Sequence, residues 1–391
     1  MYKLFDRHTL NDKPPGSLIS IYKNSRRLLI TGEGMCLLLV QRLFSWNDKF
    51  VISLRKMKFT RLYMMSSLDF FRKSVPTHFA TLTGHRSTVL SVAVHPQEPI
   101  IATGSADNTV RLWFDLPNVS KAICFETLPA HSNRVNSVAF HPTALIFATG
   151  SSDNTAKLWR VSSYCSAATC LTTLIGHSKS ITSVAFHPKL PFLLTGSEDK
   201  TAKLWKLSQD CSRAICVATL AKHTGSVCSV AFHPNLSMLA TCSKDNTIKM
   251  WLFSPNDGSR VRCMDTLVGH KKPVNSVLFH PVLPFLLTGS SDKTAKLWKI
   301  PEGGTLAMCV ATLEGHSSPI MSAVFHPTEL FIATGSLDKT AKLWRFSPDG
   351  SKVICVATLH NIEDVWSVMF HQTKPVLVIG GSPDGNLNLF R

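Results

Sequence analysis

Apolar and polar residues alternate with a period of two in short segments along most of the chain. In RVNSVAF, residues 134–140, successive side chains fall on opposite faces, which is typical of a β-strand. A His-Pro dipeptide then ends the strand, because proline has no backbone donor. A second strand, such as Phe192–Ser197, ends in an Asp-containing tight turn. A third strand ending in Leu-Trp and a fourth ending in Thr-Leu complete the unit.

This four-strand unit occurs seven times. The first copy reads TLTGHRSTVLSVAVHPQEPIIATGSADNTVRLW, from Thr81 to Trp113. The closing aromatic residue recurs at steps of 46, 46, 46, 47, 46 and 46 residues, at Trp113, Trp159, Trp205, Trp251, Trp298, Trp344 and Phe390. Four short strands per unit at this period predict the blades of a β-propeller.

The Gly-His dipeptide, the turn aspartate and the closing Lys-Leu-Trp resemble those of the WD-repeat family. The resemblance covers residues 78–391, whereas residues 1–77 do not match the repeat. It implies an all-β fold, a seven-bladed β-propeller of four-stranded antiparallel blades. One departure is consistent, since the Asp that often follows the closing Trp is absent from every copy. We expect the strand His78–Leu82 to complete the last blade, because this pairing removes an exposed strand edge.

The resemblance also implies a hydrogen-bonded chain in each blade, from the Trp through a hydroxyl of the second strand and the Gly-His histidine to the turn aspartate. In the third copy the hydroxyl belongs to Thr195 or Ser197. Such a chain satisfies buried donors and acceptors. An Asp-His-Ser/Thr set also resembles a hydrolase triad, but its recurrence in six copies predicts a structural role and no catalytic residue. The structural residues are His85, Asp107, Trp113, His131, Asp153, Trp159, His177, Asp199, Trp205, His223, Asp245, Trp251, His270, Asp292, Trp298, His316, Asp338 and Trp344.

The seventh copy departs from this pattern. His360 lacks a preceding glycine, Gly380 stands where Thr stands elsewhere, and Phe390 replaces Trp. The chain of hydrogen bonds is therefore incomplete there. Because this blade also contains the ring closure, we predict that it opens first.

Six cysteines follow the same period in the fourth strands, at Cys124, Cys170, Cys216, Cys263, Cys309 and Cys355. Equivalent sites on adjacent blades are expected roughly 10 Å apart, whereas a disulfide needs Cα atoms within about 7 Å. We therefore predict separate, buried thiols that act as small hydrophobic groups. The chain has no CxxC pair, and we expect neither a metal nor another cofactor.

The histidines that follow the first strands form a second periodic set, in which all but the last precede a proline: His95, His141, His187, His233, His280, His326 and His371. One interpretation is a pH-sensitive collar at one mouth of the channel, which gains positive charge below about pH 6.5. The other is that each histidine caps its own turn. A shared metal is not expected at this spacing, because Zn–N bonds are about 2.1 Å long.

Function in a propeller depends on the residues that differ between blades. The turn before the first strand and the turn after the second emerge at the same end, so their residues line one face. Apolar residues on blades six, seven and one and charged residues on blades two to four suit a peptide with an apolar end and a charged end. Trp366 has a second interpretation, as a filler of the irregular blade seven. The candidate face comprises Leu90, Arg134, Asn136, Glu198, Lys244, Met321, Leu337, Asp364 and Trp366.

Basic residues concentrate in the N-terminal arm. Residues 1–77 contain 14 basic and 5 acidic side chains, against 28 and 20 in residues 78–391. Residues 49–73 suit either a basic amphipathic helix or a poorly ordered leader. Residues 18–40 faintly resemble a strand hairpin of the repeat.

These features predict a non-catalytic scaffold that mediates protein–protein interactions and complex assembly, and that is monomeric on its own. An enzyme would need a non-periodic group of acid, base or nucleophile, and none is found. The alternative is an adaptor of nucleic-acid-associated complexes whose basic arm contacts nucleic acid or an anionic membrane. Direct nucleic-acid binding by the propeller is not expected, since it lacks a stripe of aromatic and basic residues. No membrane span or secretory signal is found. Unpaired cysteines suit a reducing compartment, and we expect an intracellular location, cytoplasmic or nuclear.

Overall fold

The structure, a computed structural model, describes the backbone of two strands, Ile19–Lys23 and Arg26–Ile30, and residues 76–114, 123–162, 166–301, 306–360, 362–372, 376–381 and 384–391. The chain divides into two units, residues 1–66 and 67–391. In the first unit the two strands pair as an antiparallel hairpin, within the segment whose sequence suggests one. Both hypotheses for residues 49–73 concern residues outside the described ranges.

Seven four-stranded antiparallel sheets follow one another in the second unit, and each is a propeller blade, as predicted. The first strands, which are innermost, are Val89–Val94, Val135–Phe140, Ile181–Phe186, Val227–Phe232, Val274–Phe279, Ile320–Phe325 and Ser367–Phe370. The second are Ile100–Ser105, Ile146–Ser151, Phe192–Ser197, Met238–Ser243, Phe285–Ser290, Phe331–Ser336 and Leu377–Gly380. The third are Val110–Phe114, Ala156–Val161, Ala202–Leu207, Ile248–Phe253, Ala295–Lys299, Ala341–Phe346 and Leu387–Phe390. The fourth, outermost strands are Ile123–Leu128, Ala168–Leu174, Ala214–Leu220, Val261–Leu267, Met308–Leu313 and Val353–Leu359, with His78–Leu82 in blade seven.

The ring closes as predicted, by a strand that precedes the first blade. His78–Leu82 pairs antiparallel with the third strand of blade seven, with Leu82 opposite Leu387. Thr77 and Arg391 extend this pairing by two backbone hydrogen bonds of 2.8 and 2.9 Å. The first strand of blade seven also contacts that of blade one. Pairing of the closing strand removes an open edge that would otherwise attract other strands.

The hydrophobic core lies between the blades. One cluster joins Ile146 and Leu158 of blade two to Ile181 and Leu193 of blade three. The second strands of blades one to six are buried at all six positions, because neighbouring blades cover both of their faces. Burial on both faces explains why these strands read as apolar runs ending in Thr and Ser rather than as alternating segments.

Two β-bulges recur in the blades and change where side chains point. In blade three, Ile181 opposes Ser197 and Ser183 opposes Gly196, which leaves Thr182 as the extra residue of the first strand. The equivalent shift occurs in the first strands of blades one to six. All seven fourth strands carry a second bulge, opposite the closing aromatic residue. A bulge bends its strand and redirects a side chain.

Candidate functional site

The repeated polar residues form a hydrogen-bond relay that ends at the turn between the second and third strands. In blade three, the Trp205 indole donates to Thr195 Oγ1 at 2.9 Å, Thr195 Oγ1 lies 2.8 Å from His177 Nε2, and His177 Nδ1 lies 2.7 Å from Asp199 Oδ2. A carboxylate only accepts, so His177 Nδ1 carries the proton and Nε2 accepts from the Thr195 hydroxyl. The hydroxyl of the relay is therefore that of Thr195, and Ser197 instead donates to the Lys179 carbonyl.

The same relay occurs in six blades with nearly constant distances. Trp to Thr spans 2.9–3.0 Å, Thr to His 2.7–2.8 Å and His to Asp 2.7–2.9 Å. The threonines are Thr103, Thr149, Thr195, Thr241, Thr288 and Thr334, all 0% exposed. Because no solvent reaches these hydroxyls, they cannot meet a substrate, and the triad-like set has a structural role.

Each relay aspartate also holds its turn. Asp199 Oδ2 accepts from the Ser178 amide at 3.1 Å, and Oδ1 accepts from the Thr201 amide and hydroxyl at 2.9 and 2.6 Å. In blade four, burial raises the pKa of Asp245, but hydrogen bonds from Thr247 and His223 outweigh burial and lower this pKa to about 2. Burial lowers the pKa of His177, although its hydrogen bond to Asp199 opposes this effect. Neutral histidine and ionised aspartate are thus the resting state of the relay in blades two to six.

Blade seven replaces the relay by apolar contacts. Ile362, not His360, takes the place of the relay histidine: Ile362 is buried in one cluster with Phe390, while His360 is exposed. The assignment of His360 as the counterpart was wrong, because the one-residue deletion lies after Ile362 rather than before it. The assignment of Gly380 to the threonine position was also wrong: Ser367 opposes Gly380 as Ser322 opposes Gly335 in blade six, so Ile379 takes the place of the relay threonine. Phe390 has no indole N–H, so neither a hydroxyl nor a histidine is needed beside it.

The candidate face is built from two turns that are hydrogen-bonded to each other. The Ser152 amide donates to the Arg134 carbonyl, the Glu198 amide to the Ser180 carbonyl, and equivalent bonds of 2.8–3.1 Å occur in blades one to six. The turn before the first strand and the turn after the second therefore lie at one end of the molecule. Glu198 and Lys244 occupy the same turn position on adjacent blades, and their charged groups lie 3.7 Å apart.

The innermost residues of the candidate face are bulge residues of the first strands. Leu90, Asn136 and Met321 occupy the extra position of their bulges. Asn136 donates to Ser152 Oγ and to the Ile181 carbonyl of the next blade, at 2.9 and 2.8 Å, so its amide connects two blades.

The remaining candidates are exposed or half-buried. Arg134 and Lys244 are exposed, whereas Glu198, Leu337, Asp364 and Trp366 are half-buried, as are Leu90, Asn136 and Met321. The Trp366 amide donates to the Gly380 carbonyl at 3.1 Å, which fixes its backbone against the irregular strand of blade seven. These residues thus form the rim of the channel mouth.

A ring of serine side chains on the first strands, named here the serine belt, was not predicted from the sequence. In every blade, one serine hydroxyl of the first strand accepts a backbone N–H of the next blade at 3.0–3.4 Å. The bond from the Val92 amide to Ser367 Oγ carries the belt across the closure. The sequence does contain a signal for the belt, because serine stands at this position of the first strand in all seven copies. The belt comprises Ser91, Ser137, Ser183, Ser229, Ser276, Ser322 and Ser367.

The periodic cysteines are not buried, contrary to the prediction. Cys170, Cys216, Cys309 and Cys355 are exposed, and Cys124 and Cys263 are half-buried. They lie on the outermost strands, where the next blade covers only part of the sheet. Each Sγ instead lies 3.4–3.8 Å from the carbonyl oxygen two residues later, within the bulge opposite the Trp. All cysteines in the described ranges are free thiols, as predicted.

The six His-Pro histidines cap their own turns, which favours this interpretation over a titrating collar. His187 Nδ1 accepts from the Lys189 and Leu190 amides at 3.0 and 2.9 Å. Its ring packs edge-on against Phe232 of the next blade, with centroids 4.9 Å apart. Burial lowers the pKa of His187, His280 and His326 to about 4, below the range in which a collar would gain charge.

The residues that the structure describes include no group of three or more His, Cys, Asp or Glu side chains arranged to hold a metal ion. In the same part of the chain, no helix has the length and apolar character needed to cross a membrane.

Six segments of the chain match the family model described as WD domain, G-beta repeat. The chain belongs to the WD40 family. WD40 propellers are typically protein-interaction scaffolds and are generally non-catalytic. The first three strands of the seventh WD40 blade lie outside the matched segments, yet they form a four-stranded sheet with His78–Leu82. No curated protein matches the sequence. The matched segments are residues 76–113, 122–160, 168–206, 214–251, 261–299 and 307–345.

Proposed function

We propose that this WD40 propeller is a non-catalytic scaffold that binds a segment of another protein at the candidate face. One observation carries the proposal: the repeated polar groups are used up by the relay and the serine belt, whereas the rim residues differ from blade to blade. The shared hydrogen bonds hold the turns in place, and the variable side chains are left to contact a partner.

The rim offers two kinds of contact. Met321, Leu337 and Trp366 supply half-buried apolar surface on blades six and seven, and Arg134 supplies an exposed guanidinium on blade two. Trp and Arg are common energetic anchors at protein interfaces. A partner segment with an apolar part and a charged part fits this distribution, whereas the hydroxyls and imidazoles of the relay are buried.

Exposed thiols support an intracellular location. Cys170, Cys216, Cys309 and Cys355 are exposed and unpaired, a state that a reducing compartment maintains. We infer that the protein works in the cytoplasm or the nucleus and reaches its partners as a monomer.

Quantitative affinity capture tests the proposal with the full-length chain. Trp366→Ala and Arg134→Ala are compared with wild type and with Arg345→Ala, an exposed arginine at the far end of a third strand. We expect each rim variant to lose captured partners while Arg345→Ala retains them. If both rim variants fold normally and capture the same partners as the wild type, the proposal is wrong.

A further inference from the structure

Lysines gather on the turns of blades three, four and five at the end of the propeller that carries the candidate face. Six of them, named here the lysine sector, are exposed: Lys179, Lys200, Lys222, Lys271, Lys272 and Lys293. Within the described ranges, none of their ammonium groups lies within 4.0 Å of a carboxylate. Lys244 lies among them but is already paired with Glu198.

In blade six, a lysine at an equivalent turn position forms an ion pair with an acidic side chain of the next blade. Lys339 stands in the left-handed position of its turn, and its ammonium group lies 3.1 Å from Glu363 Oε2 on the next blade. Lys200 and Lys293 occupy the same left-handed position, with φ of 71° and 73°. The residues 24 positions later, which correspond to Glu363, are Thr224 and Ser317. The turns of blades three and five therefore leave their ammonium groups to an external acid.

The backbone that carries the lysine sector is already ordered. The Lys179 carbonyl accepts from Ser197 Oγ at 3.0 Å, and the Lys272 carbonyl accepts from Ser290 Oγ at 3.1 Å. The Lys271 amide donates to the relay carboxylate of Asp292 at 3.0 Å. A ligand would have to order only the lysine side chains, which lowers the entropic cost of binding.

Charge is distributed unevenly around the channel mouth. The relay aspartates beneath the lysine sector have side chains only 9% exposed, and six unpaired lysines outnumber these three acids. On blades six and seven the sign reverses, since the corresponding turns carry Glu314, Glu363 and Asp364, and Glu363 is paired with Lys339. A field of this kind favours a ligand whose negative charge is confined to one part.

Two exposed aliphatic side chains lie on the same turns as lysines of the sector. Ile175 and Val268 precede the Gly-His dipeptides of blades three and five and are 77% and 73% exposed. The corresponding residues of blades one, four and six are Thr83, Ala221 and Glu314. The two large aliphatic residues thus coincide with two of the lysine-bearing blades, and they suit apolar side chains placed between acidic ones.

We propose that the lysine sector binds an acidic peptide segment of a partner protein, with carboxylates on the lysines and aliphatic side chains against Ile175 and Val268. This inference rests on the proposed scaffold function and names the charge of the partner. A nucleic acid fits less well, because the acidic half of the mouth repels a continuous polyanion and the sector has no aromatic side chain for base stacking.

Fluorescence anisotropy with the full-length chain tests the inference. The probe is a labelled glutamate-rich peptide with interspersed leucines, and the variants are Lys179→Gln/Lys200→Gln and Lys271→Gln/Lys272→Gln. The matched control, Lys299→Gln/Lys352→Gln, removes the same charge from exposed lysines at the opposite end. We expect each sector variant to weaken binding roughly three- to tenfold, as exposed ion pairs allow, and the control to bind as wild type.

Further probes separate the possible ligands. A phosphoserine version of the peptide distinguishes phosphate from carboxylate as the preferred acid, and either preference supports an acidic peptide. Equal binding of a lysine-rich peptide, or sector variants that bind like the control, would refute the inference. Tighter binding of a single-stranded oligonucleotide than of the peptide would replace it by the nucleic-acid alternative. If Trp366→Ala still loses captured partners in those cases, the scaffold function stands and only the acidic ligand is wrong.

Discussion

At the scale of single residues, Thr195 shows how one hydroxyl organises a blade. It accepts from the Trp205 indole and donates to His177, so both buried groups depend on it. Blade seven demonstrates the complementary solution, in which indole, hydroxyl and imidazole are all absent together. A buried polar set is stable when complete or when wholly replaced, because a single unpaired group bears the full cost of desolvation.

Replacing Thr195 by valine should therefore be costly despite the similar shape of the side chains. Thr195→Val leaves the Trp205 donor and the His177 acceptor unpaired, and we expect the free energy of unfolding to fall by about 2–4 kcal/mol. Denaturant unfolding measures this change. Thr173→Val, at an exposed threonine of the adjacent outer strand, is the control and should change stability by less than about 0.5 kcal/mol. Equal stability of the two variants would show that the relay contributes nothing.

The buried histidines predict acid sensitivity. Burial lowers the pKa of His187, His280 and His326 from 6.5 to about 4. Between these pH values the unfolded chain binds more protons than the folded one, so the free energy of unfolding decreases as pH falls from 6.5 to 4. Asp245 and Asp292, whose pKa values are about 2, add a second loss as pH falls from 3.8 to 2.

Thermal unfolding across this pH range tests the sign. We expect the midpoint to fall steadily below pH 6.5, by a smaller amount in His187→Asn, whose amide oxygen can still cap the turn without titrating. A midpoint that stays constant from pH 6.5 to 4 contradicts the assignment of neutral, buried histidines.

At the scale of elements, the β-bulges decide which side chains reach solvent. The fourth-strand bulge places the periodic cysteines at the outer edge, whereas Cys242 lies on a second strand covered on both faces. Burial raises the pKa of Cys242 well above 9. We therefore expect the outer cysteines and Cys242 to differ in reactivity, because they lie on different strands of their blades.

Alkylation of the native protein measures this difference. With a small thiol reagent we expect Cys170, Cys216, Cys309 and Cys355 to be modified first and Cys242 last, because only the exposed thiols reach the reagent. Mass spectrometry of peptides locates the label, and alkylation in denaturant provides the fully modified reference. Labelling of Cys242 at the rate of the outer cysteines would contradict the burial of the second strands.

At the scale of the whole molecule, the stability of the ring depends on the blade that closes it. Blades one to six each have a relay, whereas blade seven has none. Its outer strand is formed by residues 78–82, which precede blade one in the chain. The serine belt and the apolar cluster of Val378, Leu389 and Val92 hold this junction. We therefore expect the propeller to open at blade seven.

Hydrogen exchange tests the order of opening. Amides of Leu377–Gly380 should exchange faster than those of Phe192–Ser197, because the relay that locks the second strand is missing. Ser367→Ala removes the belt acceptor at the closure and should further increase exchange in blade seven, whereas Ser183→Ala makes the same change between two regular blades. Uniform protection across the seven blades, or equal effects of the two alanine variants, would exclude preferential opening.

The sequence alone determined the number of blades, their four-strand pattern, the closing strand and the Trp, His and Asp of the relay. These properties depend on groups that recur at a fixed interval and on alternation within short segments, both of which are local. Only the tertiary structure decided that Thr195 and not Ser197 joins the relay, that Ile362 and not His360 completes blade seven, and that the outer cysteines are exposed. The serine belt and the charge pairs at the channel mouth are likewise visible only in the tertiary structure. Those features arise from bulges, which break the alternation, and from contacts between blades about 46 residues apart, which no local pattern contains.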